Sequence, residues 1–361
     1  MTRENTYNFS AGPSVLPESA LIKARDEMLN FRGSGMSVME MSHRSPMFQD
    51  IFDEAQYKLR QLMNVPESHE ILLLQGGAST QFAAIPMNLI EGESADYAIT
   101  GNFSGKAAKE AEKYGRVHIA ADTSATGHDR IPQQQELNLS EDAKYFYYCA
   151  NNTIYGTEWQ YVPKTNSKLV CDMSSDILSR EVKVADFGLI YAGAQKNMAP
   201  AGLTVVIMDK SLAGRELSYT PTMLSYKTMI ESGSMYNTPP CYSIYMLGLT
   251  LDWVKAQGGV KAMEELRDAR AGMIYDFLDN SRIFKAHAQE GSRSGMNVSF
   301  RTGDKDLDAE FVKGAAERGL VNLKGHKITG GMRASMYNAM PIEGAVALLE
   351  YMKEFESKHH V

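Results

Sequence analysis

The chain has 361 residues, 43% apolar and 22% charged, the proportions of an ordinary globular protein too long for one small core. A net charge of −7 with no lysine- or arginine-rich block excludes nucleic acid as the main partner, and no apolar run nears the roughly 20 residues of a membrane span. An acidic chain that binds anions must therefore gather a local group of Arg, Lys and His against its own field.

Pro17 opens a helical pattern with Leu21, Ala24 and Met28 on one face. Ser45 and Pro46 read as the start of a second helix, with Phe48, Ile51, Phe52, Ala55, Leu59 and Leu62 at helical spacing and Pro66 as its stop. A short apolar strand at 71–74 turns through 75–80 (QGGAST) into a helix carrying Phe82, Ile85 and Leu89. Apolar runs at 97–99, 117–120, 145–149, 169–171, 189–191 and 203–208 predict buried strands alternating with helices, which is the pattern of an open α/β sheet covered on both faces. Gly105 and Lys106 read as a helix start. Residues 212–238 are mixed, and 237–240 (NTPP) break the chain before two long helices at 241–256 and 260–278. Beyond 283 the pattern becomes α+β: a strand at 296–300, a helix at 307–318, an extended stretch at 328–336, a closing helix at 341–355 and a solvated tail at 358–361. The expectation is a large α/β domain, 1–257, whose N-terminal segment contributes to a substrate site, and a small C-terminal α+β domain, 258–361.

Three cysteines, Cys149, Cys171 and Cys241, without a CxxC spacing suggest buried reduced thiols and no disulfide framework or zinc site. The N-terminus lacks the apolar segment of a signal peptide, so a cytoplasmic location is expected.

Lys196 is the only charged residue in 191–202 (YAGAQKNMAPAG), at the end of a predicted buried strand. Burial disfavours ammonium ions and favours the nucleophilic amine that condenses with carbonyls. Asp172 ends another apolar run. A strand-end carboxylate followed by a strand-end lysine suggests pyridoxal phosphate, the lysine holding the aldehyde and the carboxylate the pyridinium nitrogen. A salt bridge between the two is the structural alternative. The segment 75–80 reads either as an anion cradle at a helix N-terminus or as a glycine turn. Phe103 reads as a ring stacked on a flat cofactor or as core packing. His43 and Arg44 read as a clamp for a carboxylate or phosphate, or as a surface pair. Arg333, within apolar and small residues, needs a partner anion. A nucleotide module is disfavoured: there is no GxGxxG, and 101–106 is one residue short of a Walker loop, with Ala107 in place of the required hydroxyl.

The segments 7–13 (YNFSAGP), 41–45 (MSHRS), 152–154 (NTI), Asp172, Gln195, Lys196, 237–240 and 330–341 (GGMRASMYNAMP) follow in order nearly end to end. In them the chain resembles the phosphoserine aminotransferases, pyridoxal-phosphate enzymes of the class-V aminotransferase family. The resemblance implies an aspartate-aminotransferase-like fold (fold type I), with a large domain on a mainly parallel mixed sheet and a small C-terminal α+β domain. It implies transfer of an amino group between L-glutamate and 3-phosphohydroxypyruvate in serine biosynthesis, within a homodimer of shared active sites, and leaves open 4-phosphohydroxythreonine, of vitamin B6 synthesis, as a second substrate. It implies that Lys196 binds the cofactor aldehyde and shuttles the proton, Asp172 pairs with the ring nitrogen, Thr153 bonds the ring hydroxyl and Phe103 stacks on the ring. Ala78, Ser79 and Gln195 would hold the cofactor phosphate, with Asn237 and Thr238 from a second subunit. Arg333 would take the substrate α-carboxylate, and His43, Arg44 and Lys327 the distal phosphate or γ-carboxylate, with His326 near. Many relatives carry tryptophan where this chain has Phe103, and some carry arginine in place of Ser79 or Lys327. The rival readings are a small-amino-acid transaminase, a cysteine desulfurase, or a binding protein that keeps the ligand without turnover. Desulfurases usually place histidine where this chain has Gln195.

Overall fold

A computed structural model describes residues 2–359. Its centre is a seven-stranded sheet ordered His69–Leu74, Thr204–Asp209, Leu189–Gly193, Lys168–Asp172, Tyr145–Cys149, Ser94–Ile99, Arg116–Asp122. Thr204–Asp209 runs antiparallel to both of its neighbours, and every other pairing is parallel, so the sheet is mixed and mainly parallel. The middle strands read as unbroken apolar runs because both faces are covered: Tyr145–Cys149 and Leu189–Gly193 are buried throughout. Pro46–Leu62 packs on Cys241–Ala256 against one face, and Ala78–Leu89 and Asn102–Ala111 pack together over the other. The Ser45 hydroxyl accepts from the Phe48 amide and caps Pro46–Leu62, whose apolar stripe is buried as the spacing requires.

A second apolar cluster joins Ala271, Ile274 and Leu278 of the helix Gly259–Asn280 to the three-stranded sheet of Lys285–Ala286, Asn297–Arg301 and Met332–Ser335, and to Ile342–His359. Phe9 belongs to this cluster, and Tyr7–Asn8 pairs in parallel with Leu320–Val321. Val260, in the first turn of Gly259–Asn280, belongs to the large core. From this division we propose the two domains as 1–257 and 258–361, with the first strand of the chain laid across to the smaller one.

The structure departs from the sequence expectations at several points. Asn102–Ala111 begins before Gly105, because the Ser104 hydroxyl accepts from the Thr100 and Gly101 amides and fixes the first turn there. The expected extended stretch 328–336 shrinks to Met332–Ser335. Gly330 and Gly331 turn at φ +66° and +62°, and the His326 carbonyl accepts from the Thr329 and Gly330 amides. The helix before Pro66 already ends at Leu62, since Asn64 adopts φ +49°. Cys241 is half-buried, whereas Cys149 and Cys171 are buried. Of the tail, His359 stacks on Phe355 at 4.1 Å and Lys358 pairs with Glu354, while His360 and Val361 lie outside the described residues. Among the described residues no helix is long and apolar enough to cross a membrane, and no group of His, Cys, Asp and Glu side chains is placed to hold a metal ion.

Candidate active site

The parallel strands end on one edge of the sheet, where open α/β folds bind their ligands. Asp172 is the last residue of its strand, Lys196 follows Leu189–Gly193 by three residues, and Phe103 lies in the first turn of the helix after Ser94–Ile99. These residues converge on a cleft of about 630 Å³ that is also lined by Ala78, Ser79, Thr153 and Gln195.

Lys196 and Asp172 do not form an ion pair. The Lys196 amine donates to Thr153 Oγ1 at 2.6 Å and lies 5.5 Å from the centre of the Phe103 ring. Asp172 is 5% exposed; its Oδ1 accepts from the Ser174 amide at 2.9 Å and its Oδ2 from the Tyr191 hydroxyl at 3.0 Å. Amine and carboxylate thus face one cleft with separate partners, so neither neutralises the other. That arrangement does not fit a structural salt bridge.

Two glycines open the turn before the helix Ala78–Leu89. Gly76 at φ +101° and Gly77 at φ +70° hold backbone that L side chains rarely adopt, and leave the first-turn amides of Ala78 and Ser79 at a helix N-terminus. Such amides suit an anion. Gly193 admits the opposite wall: a Cβ there would meet Gln195 Oε1 at 2.8 Å and Ala78 Cβ at 3.3 Å. The loop carrying Thr153 is pinned on both sides. The Asn151 side-chain amide donates to Ser175 Oγ and Asn297 Oδ1, and that of Asn152 donates to Thr100 and Thr157.

Cations gather beside this cleft from 326–333 and from Lys106. Arg333 Nη1 donates to the Thr153 carbonyl at 3.4 Å, while its buried Nε has no protein partner. Burial holds the Arg333 guanidinium below its ordinary value. His326 is pushed down by burial and then by the charges of Arg333, Lys327 and Lys106, which keeps its imidazole neutral near pH 7. No carboxylate pairs with Arg333, Lys327 or Lys106 among the described residues. Gathered cations without a counter-charge repel one another, and a bound anion reverses that.

Not every expected residue reaches this cleft. Asn237 and Thr238 do not line it; within the same protomer the Thr238 carbonyl accepts from the Gln75 side chain, and Asn237 borders a separate apolar groove behind Gly76. His43, Arg44, His326, Lys327 and Arg333 do not line it either, although Arg333 touches its wall at the Thr153 carbonyl.

Sequence reasoning missed three contributors. Lys106, read as a helix start, projects from the helix one turn after Phe103, with its amine 5.9 Å from that ring. The i, i+3 spacing of ring and cation was the available signal. Ser14 holds the lysine loop: its hydroxyl donates to the Lys196 carbonyl, and its amide donates to the Gln195 carbonyl at 3.1 Å. Tyr191 passed as an ordinary strand residue, and nothing local marked its contact with Asp172.

The sequence pattern described as Aminotransferase class-V matches residues 6–348. A phosphoserine aminotransferase of Nitrosomonas europaea is 50% identical over 363 residues, spanning 98% of this chain and 99% of the relative. The solved phosphoserine aminotransferase of Bacillus circulans subsp. alkalophilus superimposes with a TM-score of 0.96 at 42% identity, covering 98% of this chain and 99% of that one. The pyridoxal-phosphate-bound phosphoserine aminotransferase of Trichomonas vaginalis gives 0.93 at 40% identity, covering 96% and 99%.

Proposed function

We infer the reaction from one premise: the chain belongs to the class-V aminotransferase family. It is a pyridoxal-phosphate enzyme that transfers the amino group between L-glutamate and 3-phosphohydroxypyruvate, yielding O-phospho-L-serine and 2-oxoglutarate. The observation that carries this reading is a lysine amine and a buried carboxylate facing one cleft without pairing to each other, with an aromatic ring and a helix N-terminus lining the same cleft.

The residues present fit the cofactor. The helix N-terminus at Ala78 and Ser79, with Gln195, would take its phosphate, Phe103 would stack on its ring, Thr153 would meet the ring hydroxyl, Asp172 the ring nitrogen, and Lys196 the aldehyde carbon. When bound, pyridoxal phosphate supplies an electron sink for the substrate α-carbon. The protein does the rest. Lys196 Nζ takes and returns the α-proton, held in place by Thr153 Oγ1. Asp172 keeps a negative charge where the ring nitrogen carries its proton. Arg333 binds the substrate α-carboxylate as a bidentate fork and orients the Cα–H bond toward Lys196.

Lys106, Lys327 and His326 meet the distal anion. Glutamate brings a γ-carboxylate there and the oxo acid a phosphate, and long flexible amines can adjust to either. His43 and Arg44 would complete this pocket, and Asn237 and Thr238 the phosphate cradle, from the second copy of a homodimer. Tyr236 and Met223, 54% and 41% exposed beside the groove that Asn237 borders, support a partner on that face. A cytoplasmic enzyme is the simplest setting for these substrates.

The direct test is a coupled assay of purified protein with glutamate and 3-phosphohydroxypyruvate. Formation of 2-oxoglutarate beyond one equivalent per enzyme is expected only with both substrates present, and activity confined to unphosphorylated oxo acids would sink the assignment. Arg333→Ala should weaken glutamate and phosphoserine alike, each by roughly 10- to 100-fold in kcat/KM, the range for losing a charged hydrogen-bonding partner. A loss confined to one substrate would remove Arg333 from the shared α-carboxylate position.

A further inference from the structure

Asp172 is not an isolated carboxylate. It pairs in register with Tyr191 on the neighbouring parallel strand, so both side chains leave the sheet on one face. Tyr147, two strands from Tyr191 on that face, reaches across to the Tyr191 hydroxyl at 2.7 Å. Both phenols are fully buried, and each hydroxyl must therefore find a partner.

Proton directions follow from the donor inventory. A carboxylate only accepts, so Tyr191 directs its proton to Asp172 Oδ2. Its hydroxyl oxygen is then the acceptor, and Tyr147 must be the donor to it. Two O–H dipoles point the same way and end on the carboxylate, and each strengthens the other. The Ser174 amide fixes Oδ1 from the loop side. Burial first, then the Asp172 charge, pushes both phenols far above their ordinary values, so both remain donors throughout the working range of pH.

We propose that Tyr191 is a positioning residue for Asp172: backed by Tyr147, it fixes the plane of the carboxylate and disperses its charge, and so governs how firmly Asp172 holds the protonated ring nitrogen of the cofactor. The inference rests on the reading of the cleft as a pyridoxal-phosphate site.

The test compares Tyr191→Phe, Tyr147→Phe and the double variant as holoenzymes. Three quantities are measured: the cofactor dissociation constant, the pH at which the bound chromophore changes its absorption, and thermal stability. Tyr191→Phe should raise the dissociation constant by about 10-fold, as for a lost hydrogen bond to a charged group, and shift the chromophore's pH transition. Tyr147→Phe, one bond further away, should change the constant by less than about 3-fold. Tyr191→Phe also strands the Tyr147 hydroxyl in the core, and the double variant removes that orphan. The double variant should therefore regain stability while keeping the weakened cofactor binding. If Tyr191→Phe loses stability but keeps wild-type cofactor affinity and chromophore titration, Tyr191 only packs the core and the inference is overturned. Wild-type protein that takes up no pyridoxal phosphate would instead defeat the reading of the cleft.

Discussion

Lys196→Ala is expected to fold normally and to be catalytically dead, with transamination reduced by about 10⁴-fold or more, the scale of losing a positioned proton-transfer group that also binds covalently. The geometry offers no substitute. Among the described residues the only other amine at the Phe103 ring belongs to Lys106, 5.9 Å from its centre and three residues along the helix, among the groups proposed for the distal anion. The fold should survive, because the Lys196 side chain makes a single hydrogen bond, to Thr153, and its loop is held by backbone contacts with Ser14. The coupled assay together with thermal unfolding separates the two effects. A folded variant within tenfold of the wild-type rate would show that another group moves the proton.

Asp172→Ala should act on a different step. Removing the carboxylate takes away the charge proposed to keep the ring nitrogen protonated, so α-proton removal should slow by roughly 10²- to 10³-fold, the cost of deleting one preorganised electrostatic contact. Glutamate binding should change by less than about 3-fold, because Arg333 and the distal cations are untouched. Stopped-flow half-reactions resolve the two quantities, and a large binding defect with a normal rate of proton removal would assign Asp172 to substrate recognition. Stability should also fall, by about 1–3 kcal/mol, since the Tyr191 hydroxyl and Ser174 amide lose their buried acceptor.

Much of this site was legible in the sequence because its residues sit where strands end, and buried strands announce themselves as apolar runs. The six runs predicted between 97 and 208 are all strands in one sheet, and Asp172 and Lys196 follow two adjacent ones. Local signals failed where a side chain overrode them. Gly105 looked like a helix start until Ser104 capped the turn before it, and 328–336 looked extended until two glycines with positive φ folded its first half. Contacts between segments remote in sequence carried no signal at all. Nothing about Tyr191 alone indicates that its hydroxyl meets Asp172, nor that Lys106 stands near His326 in the small domain. The resemblance gave Asn237 and Thr238 to the cofactor site of a second subunit, and within their own protomer the Thr238 carbonyl meets Gln75 away from the cleft.

The parallel pairing of Tyr7–Asn8 with Leu320–Val321 bears on how the lysine loop is held. Tyr7 and Leu320 are far apart in sequence, whereas all seven strands of the central sheet fall between residues 69 and 209. Non-local pairings of this kind form late, after the elements that need less loop closure. Ser14, which steadies the lysine loop, hangs from that same first strand. Loosening that pairing should therefore free the segment that carries Ser14 and slacken the lysine loop before the central sheet is disturbed.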